Sequence, residues 1–285
     1  MTTSLKRWTQ LGLGVALAGS TLVACGNPAT SASEDGTELT AETPPFEEPL
    51  EGEGEGVGGE GEGAGGEGEG GVAIAQAASD PVVYLSALAI TEAHILAARD
   101  AHALGETDAA AEMFAHPVSE VLFDMQPVFE QLGVTDFSDQ LTDTSAAIFA
   151  GETSEQIGAR AELIIEALRD AALRAPTSDA SAASIAAGVA VDQIERAADM
   201  YRIALESDAY EPYLDGYGFY KAGEAVFLAS AEAISEEDQS AASAIKDAIA
   251  KLEDAYPTAV RPDSLNADLP TLTVAASNAV LAVQN

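Results

Sequence analysis

At 285 residues, with 48 Asp and Glu against 12 Lys and Arg and a formal charge of −36, the chain is long enough to bury one substantial core. Its field repels nucleic acid and anionic lipid headgroups and attracts cations and basic partners. A single cysteine excludes any disulfide within the chain, so the fold must rest on its core.

Lys6 and Arg7 precede a short apolar run over residues 11–18, too short to span a bilayer as a stable helix. The run leads into Leu22-Val23-Ala24-Cys25, the pattern at which a bacterial lipoprotein is cut and lipidated. The expectation is a signal peptide over 1–24 and a lipid on Cys25, with Gly26 in place of Asp pointing to the periplasmic face of the outer membrane. Losing Lys6 and Arg7 would take the charge to −38. No other segment reads as a membrane span, so lipid is the expected anchor, and stable anchoring takes more than one acyl chain.

Residues 25–79 read as a disordered acidic linker. Residues 26–79 hold thirteen acids and no Lys or Arg, and 51–71 is almost wholly Glu and Gly. Glycine entropy and charge repulsion prevent such a segment from building a core. Its flexible reach is about 40 Å, lengthened by repulsion. It would lift a folded domain off the membrane and collect cations only weakly, because floppy carboxylates lack fixed coordination geometry.

The remaining 80–285 carries 35 acids and 10 Lys and Arg. Abundant alanine, short β-branched runs and Pro or Gly at helix-length intervals predict an all-α fold, an antiparallel bundle of seven to nine helices. Asp80-Pro81 opens a helix reaching Leu104 and closed by Gly105. Thr107 is expected to cap the next helix, His116-Pro117 to interrupt it, and Pro117 to begin another with a kink at Pro127. Further helices are expected over 137–149, 153–174, 178–207 and 209–234. Ser235, with Asp238 three residues on, reads as a cap for a helix to Tyr256, and a last helix runs over 269–283. Two helical halves meet near 175–183.

The chemistry concentrates in three histidines, His94, His102 and His116, within one hairpin. His94 and His116 lie eleven residues on either side of Gly105, which sets them at equal height on facing antiparallel helices. Glu120 follows His116 by one helical turn. Bundle metal sites are built this way, from His and carboxylates projecting inward; the alternative is interior histidines bonded to backbone or carboxylate. His102, in the last turn of its helix, suits a structural role beside the macrodipole. Downstream, Tyr213, Tyr217 and Tyr220 share a helical face. Tyr213 and Asp215 either pack or contribute a phenolate or carboxylate to a site. Nucleophilic elbows, His-Glu-x-x-His and phosphate-cradling loops are absent from the sequence, and no enzyme is expected.

The run Tyr213-Leu214-Asp215-Gly216-Tyr217-Gly218-Phe219 resembles the Tyr-x-Asp-Ala-x-Gly-Phe signature in the extracytoplasmic helical segment attached to some bacterial high-affinity iron permeases. Ala197-Ala198-Asp199-Met200-Tyr201 resembles the Ala-x-x-Tyr stretch that precedes it. The hairpin of His94 and His116-Pro117-x-x-Glu120 is similar to that of small uncharacterised helical lipoproteins of Gram-negative bacteria, with Ala93 replacing the glycine of their Gly-His. The resemblance implies a periplasmic helical domain linked to iron or another metal and does not imply an enzyme. The Gly-x-His-x-x-Glu motif of imelysin-like iron-uptake lipoproteins is not matched, since Glu92 and Ala97 stand at its glycine and glutamate.

Two functions follow as expectations. In the first, an envelope-anchored lipoprotein binds iron, zinc or manganese through His94, His116 and Glu120, completed by Asp215 or Tyr213, with a metal transporter as a fitting partner. In the second, the acidic bundle docks a basic envelope protein without metal.

Overall fold

The computed structural model describes residues 71–284. The leader, Cys25 and nearly all of the acidic linker lie outside these described residues.

All regular structure among them is helical: α1 (Ile74–Ala77), α2 (Pro81–Ala103), α3 (Thr107–Pro117), a π-helical segment (Val118–Leu122), α4 (Phe123–Leu132), α5 (Ser138–Phe149), α6 (Ser154–Ala172), α7 (Ala182–Glu206), α8 (Glu211–Glu237), α9 (Gln239–Ala255) and α10 (Leu269–Gln284). The all-α bundle is as the composition predicts. Counting α3, the π segment and α4 as one rod leaves eight long helices and the single turn α1. The fold begins before residue 80, because Val72 and Ala77 are buried in the core and the Gly71 carbonyl accepts from Arg196 Nη2 at 3.0 Å.

Local chemistry explains most boundaries. Asp80 accepts from the backbone N–H groups of Val82 and Val83, with Pro81 in the first turn, where its missing donor costs nothing. Gly105, at φ +92°, supplies the left-handed residue that reverses the chain into α3. Thr153 and Gln156 form a reciprocal capping box at the start of α6.

Several boundaries differ from expectation. Thr107 is the first residue of α3, not its cap. α7 opens at Ser181, whose side chain accepts from Ser184 N, so the long loop before it extends past 178. Ser235 lies inside α8, and Asp238 itself caps α9 by accepting from Ser240 and Ala241.

The largest difference is at His116-Pro117, where the helix does not break. Pro117 keeps helical dihedrals (φ −60°, ψ −23°), and the following turn widens until Phe123 N–H bonds to the Val118 carbonyl, five residues back. Proline has no N–H and its ring crowds the preceding turn. One π turn absorbs that mismatch and keeps the rod continuous.

α2 to α6 form one half of the bundle and α7 to α10 the other. The halves join where α2 packs on α8 and α7. α2 is long and apolar enough to cross a membrane by length and composition, which differs from the expectation that no segment past the leader is. Most of its apolar surface is buried at the centre of the bundle. Small residues let α8 approach it closely. A Cβ on Gly218 would lie 2.4 Å from the Ala93 carbonyl oxygen and 3.1 Å from Ala97 Cβ.

Aromatic hydroxyls secure the loop between α9 and α10. Tyr210 and Tyr213 donate to the Ala259 and Thr258 carbonyls, Tyr256 donates to Ala197 O, and Tyr201 Oη accepts from Ala267 N. Each bond satisfies a group that burial would otherwise leave costly.

The α2–α8 contact generates a paired prediction. Gly218→Ala gains about 1 kcal/mol of helix propensity, yet it forces backbone against Cβ and should lose about 2 kcal/mol net through overpacking. Gly158→Ala in α6, whose Cβ would meet nothing within 4 Å, should raise stability by up to about 1 kcal/mol. Urea unfolding followed by circular dichroism reads both, and equal signs would contradict the close-approach account.

Candidate metal centre

Four elements from both halves of the bundle converge on one point: α2 brings His94, α3 brings His116, the π segment brings Glu120, and α8 brings Asp215 and Glu211. One donor atom each from His94, His116 and Asp215 lies within 4.8 Å of the others.

His94 is the fixed member. Its ring is 4% exposed, and Nδ1 donates to the Ile90 carbonyl at 2.8 Å. A carbonyl can only accept, so the proton sits on Nδ1 and the Nε2 lone pair faces outward. Facing it, each at 3.6 Å, are Glu120 Oε2 and Asp215 Oδ1, too far for hydrogen bonds. Asp215 Oδ1 is buried and has no hydrogen-bond partner. Three electron-pair donors therefore meet around a point that only a cation or added proton can neutralise. Phe219 closes one side, its ring perpendicular to His94 with centroids 5.8 Å apart.

His116 stands on the more exposed side. Its ring centroid is 6.2 Å from that of His94, with the planes at 72°. Its Nδ1 lies 3.8 Å from Glu120 Oε1 and 3.8 Å from Glu211 Oε1. Glu120 thus turns one carboxylate oxygen to each histidine. The unbroken helix through Pro117 is what keeps Glu120 on the His116 side.

The surroundings shift the buried groups in opposite senses. Burial pushes the Asp215 carboxyl up to about 7, with Glu211 nearby adding to the rise and His116 opposing it. Burial holds the His94 imidazole below its ordinary value, against the Ile90 hydrogen bond and the Glu120 charge, which favour the charged ring. Both effects favour the uncharged forms of the Asp215 carboxyl and the His94 ring.

Four of the five metal-site residues read from sequence come together. Tyr213 does not join them: its hydroxyl donates to Thr258 O at 2.8 Å and its ring packs on Tyr256. Positions 213 and 215 are about 200° apart around a helix, so one helix cannot aim both at His94. Tyr217 likewise bonds elsewhere, to Asp100 Oδ2 at 2.8 Å. His102, two turns past His94, stays outside the cluster. Glu211 and Phe219 were not singled out from sequence. Their signal is present, one turn before and one turn after Asp215 on the same face.

Stability should record the buried carboxyl. A carboxyl whose folded pKa is raised holds its proton more tightly folded than unfolded. It therefore costs nothing at low pH and costs progressively more from about pH 4 to about pH 7. His94, depressed by burial, has the opposite slope, gaining as pH rises toward its unfolded value. Asp215→Asn isolates the first effect: relative to the native chain it should gain stability across that window, by up to about 4 kcal/mol. Thermal melts of both in chelator would test this, and a pH-independent difference would contradict it.

No family model, curated protein or solved structure matches the chain, so the functional reading rests on the chemistry of this site.

Proposed function

We propose that this chain is an envelope-anchored binding protein whose helical bundle takes up a transition-metal cation through His94, His116, Glu120 and Asp215. Lipid on Cys25 and the acidic linker would hold the bundle off the membrane, at the periplasmic face of the outer membrane. The observation that carries the reading is the convergence of His94 Nε2, Glu120 Oε2 and the unpartnered Asp215 Oδ1, all lone-pair donors, beside the Phe219 ring that packs on His94. A structural ion pair would need a proton on His94 Nε2, whereas the hydrogen bond to Ile90 holds the His94 proton on Nδ1.

Imidazole and carboxylate donors without thiolate suit iron, zinc or manganese. The likeness of residues 213–219 to the iron-permease segment makes iron the first ion to test and a metal transporter the fitting partner class. The bundle's net negative charge raises the local cation concentration. A binding role needs nothing further from the site, and no catalytic step is assigned to it.

Calorimetric titration of the full chain with Zn²⁺, Mn²⁺ and anaerobic Fe²⁺ tests the reading. The His94→Ala/His116→Ala variant should bind at least about 100-fold more weakly, since even outer-shell changes cost 10–100-fold. At a hundred times the dissociation constant, the bound ion should stabilise the native chain by about 2.7 kcal/mol, seen as a higher melting temperature that the variant lacks. Equal affinities in the two proteins would rule the site out.

A further inference from the structure

We propose that the cluster is built for two cations bridged by the Glu120 carboxylate, with Glu211 as a ligand to the outer one; the inference rests on the metal-binding reading above. The inner ion would take His94 Nε2, Asp215 Oδ1 and Glu120 Oε2. The outer ion would take His116 Nδ1, Glu211 Oε1 and Glu120 Oε1.

Three observations carry this. The first is the division of Glu120, whose Oε2 faces His94 at 3.6 Å while its Oε1 faces His116 at 3.8 Å. A carboxylate serving one ion has no need to address two imidazoles with separate oxygens. The second is that each histidine has its own further carboxylate, Asp215 at 3.6 Å for His94 and Glu211 at 3.8 Å for His116. Donors about 2.1 Å from one tetrahedral ion are about 3.4 Å apart, so both histidine-to-carboxylate distances in each triad are within a few tenths of an ångström of a single-ion shell.

The third is the separation of the rings. Two imidazoles on one tetrahedral ion hold their centroids roughly 5.3 Å apart, from bonds of about 2.1 Å. Here they are 6.2 Å apart, wider than one tetrahedral ion sets them and within the span of two ions about 3.5–4 Å apart. The unpartnered, buried Asp215 Oδ1 marks the inner position as needing a ligand of its own.

Charge is consistent with the count. Three carboxylates and two neutral imidazoles leave a single divalent cation over-neutralised, whereas two divalent cations need only one added hydroxide for balance. Exposure orders the positions: Glu211 is 61% exposed and His94 is 4% exposed, so the outer ligands meet solvent first. Helical bundles supply paired-metal sites from His and carboxylates on facing helices. Here the same chemistry is assembled across the seam between two halves of one bundle, with a π turn providing the bridge.

Manganese stoichiometry tests the proposal. The full chain is equilibrated with Mn²⁺, and bound metal is counted by elemental analysis after subtracting the His94→Ala/His116→Ala variant, which removes the linker's weak carboxylate sites. The expected result is two ions per chain above that baseline, with an electron paramagnetic resonance spectrum of exchange-coupled Mn²⁺. Glu211→Gln, at an exposed position with little bearing on folding, should reduce the count to one and restore the isolated six-line signal. One histidine-dependent ion per chain in the native protein would overturn the paired site while leaving the binding function standing. No excess over the baseline would overturn both, and two coupled ions surviving in Glu211→Gln would overturn the ligand assignment.

Discussion

The contact between α2 and α8 is the constraint on which the rest of the molecule depends. Gly218 lies where any side chain would strike the Ala93 carbonyl, so the two helices approach nearly backbone to backbone. That closeness joins the two halves of the bundle and brings Asp215 and Phe219 within reach of His94, the residue following Ala93. A wider crossing would leave His94 facing its own hairpin alone. Stability and site geometry are thus set by the same few ångströms of packing.

Having drawn these donors together, the fold leaves them electrostatically unresolved. Asp215 Oδ1 is buried without a hydrogen bond, and the Nδ1 proton of the His94 ring is directed away from it to Ile90. Such an arrangement costs stability and is the reverse of the hydrogen-bonded networks elsewhere in the core. The contrast with the tyrosines is instructive: Tyr84, Tyr210, Tyr213, Tyr217 and Tyr256 each donate to a defined oxygen. Those hydroxyls are satisfied, whereas Asp215 Oδ1 is one of four buried polar atoms without a partner among the described residues, the others being His102 Nδ1, Gln193 Oε1 and Arg261 Nε. Strained or unsatisfied groups of this kind gather where a protein binds something.

The π segment connects the backbone to that chemistry. A proline inside a continuous helix removes one hydrogen bond and crowds one carbonyl. Widening the next turn accommodates it and carries Glu120 to a position between the two imidazoles. His116, Pro117 and Glu120 therefore form one local unit, with Pro117 setting the path of the chain and Glu120 placed between the two imidazoles.

Helical class, the hairpin turn at Gly105 and the pairing of His94 with His116 were legible in the sequence because each depends on local rules: periodicity, capping chemistry and equal spacing from a turn. Glu120 was legible for the same reason, one turn from His116 on a single helix. What the sequence could not decide was which face of α8 would meet α2. Tyr213 and Asp215 are both plausible donors in a string of letters, yet they point to opposite sides of one helix. Only the Gly218–Ala93 approach, a contact between residues 125 positions apart, selects Asp215 and with it Glu211 and Phe219. The continuity of the chain through Pro117 was equally hidden, because proline's local preference for breaking a helix is weaker than the packing of the rod that contains it.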